Sequence, residues 1–217
     1  MKALLSSTYF GPIQWYQKLN HYDECLIERH ESFIKQTYRN RMLIPTTNGP
    51  LALPIPTNHN TSLAMKDIRI SDHANWRHGH WNALLSAYGE SPFFEYYQDD
   101  IRPFYEKKYE FLFDFNMEIT EKMIELLDIR PKISITNEYF LSEERKVKSE
   151  EFNSFTNHKV ESIKDFREAI RPKKPLPDAE FESKRYYQVY EQKFGFQPNM
   201  SILDLLFNEG NEAIFYL

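Results

Sequence analysis

Lys2-Ala3-Leu4-Leu5-Ser6-Ser7-Thr8-Tyr9-Phe10-Gly11-Pro12-Ile13-Gln14-Trp15-Tyr16-Gln17-Lys18-Leu19 lays out a strand, a turn and a helix in that order. Lys2 to Ser6 reads as a short strand, Tyr9 to Pro12 as a turn, and Ile13 to about Leu19 as a helix. Gly11 allows close backbone approach in that turn, and Pro12 suits the first turn of a helix, where its missing N–H is no loss. Asp23 to His30 then offers Cys25-Leu26-Ile27, an apolar run between polar residues that reads as a second strand.

Further along, Met42-Leu43-Ile44 and Leu51-Ala52-Leu53-Pro54-Ile55 flank Asn48-Gly49, a strong turn signal, so Met42 to Pro56 reads as a hairpin. Pro54 and Pro56 cannot donate to a ladder, so the second strand lies at an edge or ends there. Asn58 to Ser62 reads as a loop and Ile68-Arg69-Ile70 as another short strand. From Asp72 the pattern turns helical: Trp76, His80, Leu84 and Ala87 share one stripe, and Gly89 stops it. Ser91-Pro92 opens a helix toward Glu106. Leu112, Phe115, Ile119, Met123 and Leu126 mark a long helix with a buried face, and Ile133 to Ile135 returns to a strand.

Ser142 to Lys184 is poor in apolar residues and crowded with charge. Arg171-Pro172-Lys173-Lys174-Pro175-Leu176-Pro177 forbids regular structure there, so the segment reads as a mobile arm or lid, with a short helix around Ile163 to Ile170. Order resumes at Tyr186. Ser201 to Asn208 reads as a helix with Ser201 as cap and Gly210 as terminator, Leu203, Leu206 and Phe207 facing the core, and Asp204 and Asn208 solvating the other side. The last residues read as an edge strand ending at Leu217. The whole is an α/β protein, a mixed sheet of short strands covered by helices in a single domain, with α+β as the alternative arrangement.

The chain has 217 residues, 16% of them aromatic, and a net charge of -5. One core of that length is the default, and no basic face emerges from the totals, which argues against nucleic acid as the main partner. The apolar start Met1 to Leu5 is too short for a signal peptide, and no run approaches a membrane span. Cys25 is the single cysteine, so an intramolecular disulfide and a multi-cysteine metal cage are excluded and the cytoplasm is the expected compartment.

Chemistry concentrates in a few places. Tyr38-Arg39-Asn40-Arg41 stands just before the hairpin; on a strand, Arg39 and Arg41 would share one face with Tyr38 and Asn40 on the other, and two guanidiniums could fork onto a phosphate or carboxylate. Lys35 and Tyr38 could complete that clamp, whereas the plain structural reading pairs the arginines with Glu28 and Glu31. In Trp76-Arg77-His78-Gly79-His80-Trp81, His78 and His80 diverge by about 200° on a helix and cannot share a metal ion without a third element, the pair Glu28 and His30 being the only obvious supplement. The same run misses the first histidine of a His-x-Gly-His nucleotidyltransferase signature. His80 is either a core histidine with satisfied nitrogens or an acid or base whose ring Glu28 orients. Cys25 sits in a strand core and reads as inert. No glycine-rich phosphate loop, Gly-x-Ser-x-Gly or Asp-x-Asp pair is present, so phosphate would have to be held by side chains.

Several segments together resemble the WbqC-like family of bacterial proteins, in the version common among the Bacteroidetes: Leu5 to Tyr16, Glu28 to Arg41, Asn48-Gly49 with Leu53-Pro54-Ile55, Trp76 to Tyr88, Pro92 to Tyr97, and Pro198 to Asn208. The chain departs from the broader family at Ser7-Thr8, where many members have Gln-Pro; if that glutamine contacts a substrate, the substrate or the role differs here. The family takes its name from a protein encoded among O-antigen genes, so the resemblance implies a role in surface-polysaccharide assembly. Taken with the residues, it leads to the expectation of a transferase. Lys35, Arg39 and Arg41 would hold a phosphate or carboxylate with Tyr38 and Asn40 beside them, His80 and Glu28 would be catalytic, and Tyr9 and Trp15 would form an aromatic wall for a sugar or base. The expected partner is a small anionic substrate, a sugar nucleotide or an acyl or aminoacyl donor, with no cofactor and no metal. A non-catalytic binding or assembly protein is the alternative, and a metal-dependent hydrolase using His30, His80 and Glu28 a third.

Overall fold

The computed structural model of the chain describes residues 1–58, 63–140 and 163–217. The opening stretch folds as strand β1 (Lys2–Ser6), helix α1 (Ile13–His21) and strand β2 (Glu24–Glu28), with β1 and β2 parallel from Lys2 against Glu24 to Ser6 against Glu28. Ala3, Leu4 and Leu5 are wholly buried, as a central strand of a parallel sheet covered on both faces must be. Helix α1 lays Trp15, Tyr16 and Leu19 onto it.

The hairpin forms from β3 (Arg41–Thr46) and β4 (Gly49–Pro54), Thr46 pairing with Gly49, whose φ of 94° only glycine adopts freely. Strand β4 pairs with β3 alone, so Pro50 and Pro54 remove no ladder bond on its other side. A second ribbon joins β5 (Thr57–Asn58) to β6 (Arg69–Ile70). Helix α2 (Trp76–Tyr88) buries the stripe Trp76, His80, Leu84 and Ala87. The helix expected up to Glu106 is two, α3 (Phe94–Ile101) and α4 (Pro103–Glu106), because Pro103 lacks the N–H to continue α3. Helix α5 (Leu112–Leu126) buries Leu112, Phe115, Ile119 and Met123 completely.

Strand β7 (Ile133–Ile135) extends the sheet beyond β2. Strand β8 (Ile163–Asp165) extends it beyond β1, so the order is β7-β2-β1-β8 and every pair is parallel. The fold is α/β; the mixture of strand directions lies between this sheet and the two antiparallel ribbons. Where a helix was expected around Ile163 to Ile170 there is β8 and a turn, because pairing with β1 supplies the backbone bonds that a helix would have made internally. Of the expected arm, residues 142–162 lie outside the described residues. Residues 171–184 contain no helix or strand, as their prolines dictate, yet they are fastened to α1: buried Lys18 meets buried Asp178 at 2.9 Å, and Gln14 donates to Asp178 at 2.8 Å.

After α6 (Glu191–Phe194) comes α7 (Ile202–Glu209), capped as expected, with Ser201 Oγ accepting from the Leu203 N–H. Asp204 and Asn208 do not solvate it. Every residue from Ile202 to Asn208 is buried, and Asp204 Oδ2 accepts from the Tyr186 hydroxyl at 2.5 Å and from Gln188 Nε2 at 2.7 Å. The chain then closes in a 3-10 helix, Gly210–Tyr216, in place of an edge strand. Among the described residues no helix is long and apolar enough to cross a membrane.

Candidate functional site

The chain leaves β1 toward β2 on one side and comes back to β8 on the other. In open parallel sheets, ligands collect in the crevice outside the carboxyl ends of two such strands. Here that crevice lies between Ser6 at the end of β1, Thr8 beyond it, and Phe166 and Arg167 after β8, with Trp15, Tyr38 and Arg39 closing it around a space of about 10 Å³, room for one water. Arg39, Phe166 and Arg167 also line an adjoining cavity of about 820 Å³, a volume that suits a small-molecule ligand. Ser6 Oγ and Thr8 Oγ1 are buried with no hydrogen-bond partner.

Two guanidiniums line the larger cavity. Arg39, 3% exposed, is gripped by Glu31, with Nε to Oε1 at 2.8 Å and Nη2 to Oε2 alongside, and Nη1 reaches Thr37 Oγ1 at 3.3 Å. Arg167, 6% exposed, donates from Nε and Nη2 to Asp165 at 2.9 and 2.6 Å and from Nη2 to the Phe140 carbonyl at 3.0 Å. Burial works against its charge, but the Asp165 bonds outweigh it and hold its pKa above the ordinary value. Each arginine is thus fixed by its own carboxylate, with Nη1 of Arg39 reaching Thr37 and Nη1 of Arg167 facing Glu28.

Residues 38–40 form a turn, not a strand, and the Asn40 N–H bonds the Thr37 carbonyl at 3.3 Å, so strand alternation does not apply to the Tyr38–Arg41 block. Arg39 and Tyr38 enter the crevice. Arg41 opens β3 opposite Pro54, half-buried, and does not line it; Asn40 is spent on the fold, its Nδ2 donating to the Ile55 carbonyl at 3.0 Å. Lys35 is exposed in the preceding turn and lines neither cavity. Trp15 is anchored by its Nε1–H to the Ser6 carbonyl and borders the small space.

Glu28, at the end of β2, is wholly buried. Its Oε1 accepts from the His30 N–H and Thr136 Oγ1 at 2.7 and 2.8 Å, and its Oε2 from the Phe140 N–H at 2.7 Å, with Arg167 Nη1 3.7 Å away. It ties together the loops that follow β2, β7 and β8 and does not orient His80. His80 belongs to another cluster: Nδ1 meets the Tyr9 hydroxyl at 2.9 Å, and that hydroxyl meets Tyr105 at 2.9 Å. Burial pushes the imidazole down to about 4 against a backbone bond to Pro54, so at neutral pH it is uncharged. Tyr9, wholly buried in the same cluster, forms no wall for a ligand.

His78 is exposed and bonded to Asn82, so it does not share a ligand with His80, and among the described residues no group of three His, Cys, Asp or Glu could hold a metal ion. The Cys25 thiol is pushed up to about 12 by burial, which keeps it protonated. Arg167 and Asp165 are the site residues that sequence reasoning missed. Reading Ile163-Lys164-Asp165 as a strand would have set both at a carboxyl end, but three alternating residues in a charged stretch carry little signal.

Comparison with known proteins gives three results. No solved structure matches the chain. An uncharacterized protein of Mycobacterium tuberculosis, Rv1507c, is 26% identical over 228 residues, covering 99% of this chain and 96% of its own length. The family model of the WbqC-like proteins matches residues 6–216, which takes in the carboxyl end of β1, the other strands of the sheet, the crevice and the helices around it, and the chain belongs to the WbqC-like protein family.

Proposed function

We propose that the chain is a transferase of bacterial surface-polysaccharide assembly that receives an anionic, phosphate- or nucleotide-bearing substrate at the carboxyl end of its parallel sheet. One observation carries this reading: Arg39 and Arg167, both buried, line one cavity of about 820 Å³ beside the β1/β8 crevice. Guanidiniums already fixed by carboxylates lose little freedom when they bind, and they neutralise charge as it develops on a departing phosphate. Glu28 acts as a positioning residue, holding Arg167 and the three loops in register. The link to surface polysaccharide is supported by the family resemblance.

Calorimetric titration with a panel of sugar nucleotides, acyl nucleotides and aminoacyl adenylates tests it. Saturable binding is expected from at least one class, weakened about tenfold or more by Arg167→Gln, with the fold intact by circular dichroism. Absence of binding across the panel defeats the reading.

A second reading has its own observation. Glu28, Glu31 and Asp165 outnumber Arg39 and Arg167, so the cluster needs no ligand anion to balance it. A non-catalytic binding or assembly protein would have this arrangement as structure. In that case Arg39→Ala lowers stability but leaves any ligand-dependent thermal shift unchanged.

A further inference from the structure

A separate cavity of about 380 Å³ lies at the start of α2, where Asp72, Asn75, Arg77, Trp81, Tyr105 and Lys108 meet. None of these lines the crevice at the carboxyl end of the sheet. The charge around it does not balance. Asp72 is shared, Oδ1 accepting from Arg77 Nη1 at 2.5 Å while Oδ2 faces Lys108 Nζ at 3.0 Å. Glu106 is taken by Arg102 at 2.7 Å. Three permanent cations therefore face two carboxylates, in a chain whose net charge is -5. The bonds from Arg77 and Lys108 hold the Asp72 carboxyl below its usual range, so at neutral pH it stays a partner to both.

Arg77 has more to offer than Asp72 takes. Its guanidinium stacks on the Trp76 ring at 4.6 Å, its side chain is 12% exposed, and Nε and Nη2 are buried without a hydrogen-bond partner. A guanidinium fixed by a ring face and one carboxylate, with N–H groups unspent, is organised in advance for an anion. The backbone beside it is strained: Ala74 and Asn75, with φ of 67° and 45°, are successive non-glycine residues in the left-handed region. Strain of this kind is stored at ligand sites. It brings Asn75 to the cavity wall, and the Asn75 side chain makes no capping bond to α2. Trp81 and Tyr105, ring centroids 5.8 Å apart, give the cavity an aromatic side.

We propose that this cavity is a second ligand site, which takes a phosphate monoester of a planar group. Arg77 and Lys108 bind phosphate oxygens and Trp81 lies against the carrier. A carboxylate would be met by Arg77 alone, whereas the three oxygens of a phosphate match donors spread over Arg77, Lys108 and the exposed His78. This site stands independently of the function argued for the sheet crevice.

Titration of the full chain with phenyl phosphate, inorganic phosphate and phenol, followed by amide and indole N–H chemical shifts, tests the proposal. Saturable shifts are expected at the Trp81 indole and around residues 75–78 and 105–108, with phenyl phosphate binding roughly tenfold tighter than inorganic phosphate. Lys108→Ser, at a side chain 78% exposed, should keep the fold and weaken phenyl phosphate several-fold. Arg77→Gln should weaken it further, and Arg167→Gln should leave it unchanged. Shifts that map elsewhere, no saturation, phenol binding as well as phenyl phosphate, or Lys108→Ser binding like wild type would each overturn it.

Discussion

The Arg39 guanidinium meets the Glu31 carboxylate through two N–H···O bonds, with both side chains shut away from water. Removing one partner of such a pair leaves the other charged and buried, a change of about 3–5 kcal/mol. Arg39→Ala and Glu31→Gln should each lower stability by that order in urea unfolding. The double variant should lose clearly less than the sum. Additive losses would show that the two residues do not act as a pair.

Two buried groups bend the pH dependence of stability in opposite directions. His80 is held neutral with its pKa lowered from 6.5 to about 4, so the stability it contributes is present above its unfolded value and is lost as pH falls from 6.5 toward 4. Burial raises the Asp204 carboxyl from 3.8 to about 6 against the bonds from Tyr186 and Gln188; its contribution is present below 3.8 and is lost as pH rises toward 6. Each spans roughly 3 kcal/mol at full extent, so they nearly cancel across this window. Asp204→Asn should therefore make the melting temperature fall steeply on acidification from pH 6.5 to 4, and His80→Gln should make it fall on raising the pH from 4 to 6. Wild-type slopes in both variants would refute the assignment.

Residues 171–184 are held to α1 by the buried Lys18–Asp178 pair, with the Lys18 ammonium also 4.5 Å from the centre of the Phe166 ring. Asp178→Asn should loosen this clasp. Trypsin should then cut after Lys173 and Lys184 markedly faster than in the wild type, while cuts elsewhere keep their rate. Uniform acceleration would mean global unfolding instead.

A methyl group at Gly11 would stand 2.4 Å from Thr8 Oγ1 and 2.8 Å from Thr8 Cβ. Gly11→Ala should cost about 1–3 kcal/mol through this overlap and displace Thr8 from the crevice wall. Adding Thr8→Gly should recover part of the loss. No recovery would place the strain elsewhere.

Much of the scaffold is legible because its signals are local. Strand β1, the turn before α1, the hairpin around Gly49 and the stripes of α2 and α5 each follow from a short period or a turn residue. What escaped depends on distant partners. Strand β8 has three residues and a charged centre; only pairing with β1 makes it a strand. Asp204 falls on the polar side of α7 by spacing, yet α7 has no wet side, since Tyr186 and Gln188 cover that carboxylate. Arg39 was legible as a binding cation or as a solvated one paired with Glu28 or Glu31, but its burial and its separation from Arg41 come from a turn fixed by Thr37 and by the Glu31 grip. Arg167 had no signal of its own. It matters only because β8 sets it beside Arg39.

The pairing of Lys2 with Ile163 and of Leu4 with Asp165 joins residues 161 positions apart in the sequence. A nascent chain emerging from the ribosome can bring β1, β2 and β7 together early, but half of the crevice does not yet exist. Contacts so far apart in sequence are slow to close. Until Asp165 arrives, Arg39 and Glu31 have no opposite wall, and the β1 edge that β8 will cover stands open to stray pairing. Truncated products ending before β8 should therefore be the aggregation-prone species in expression.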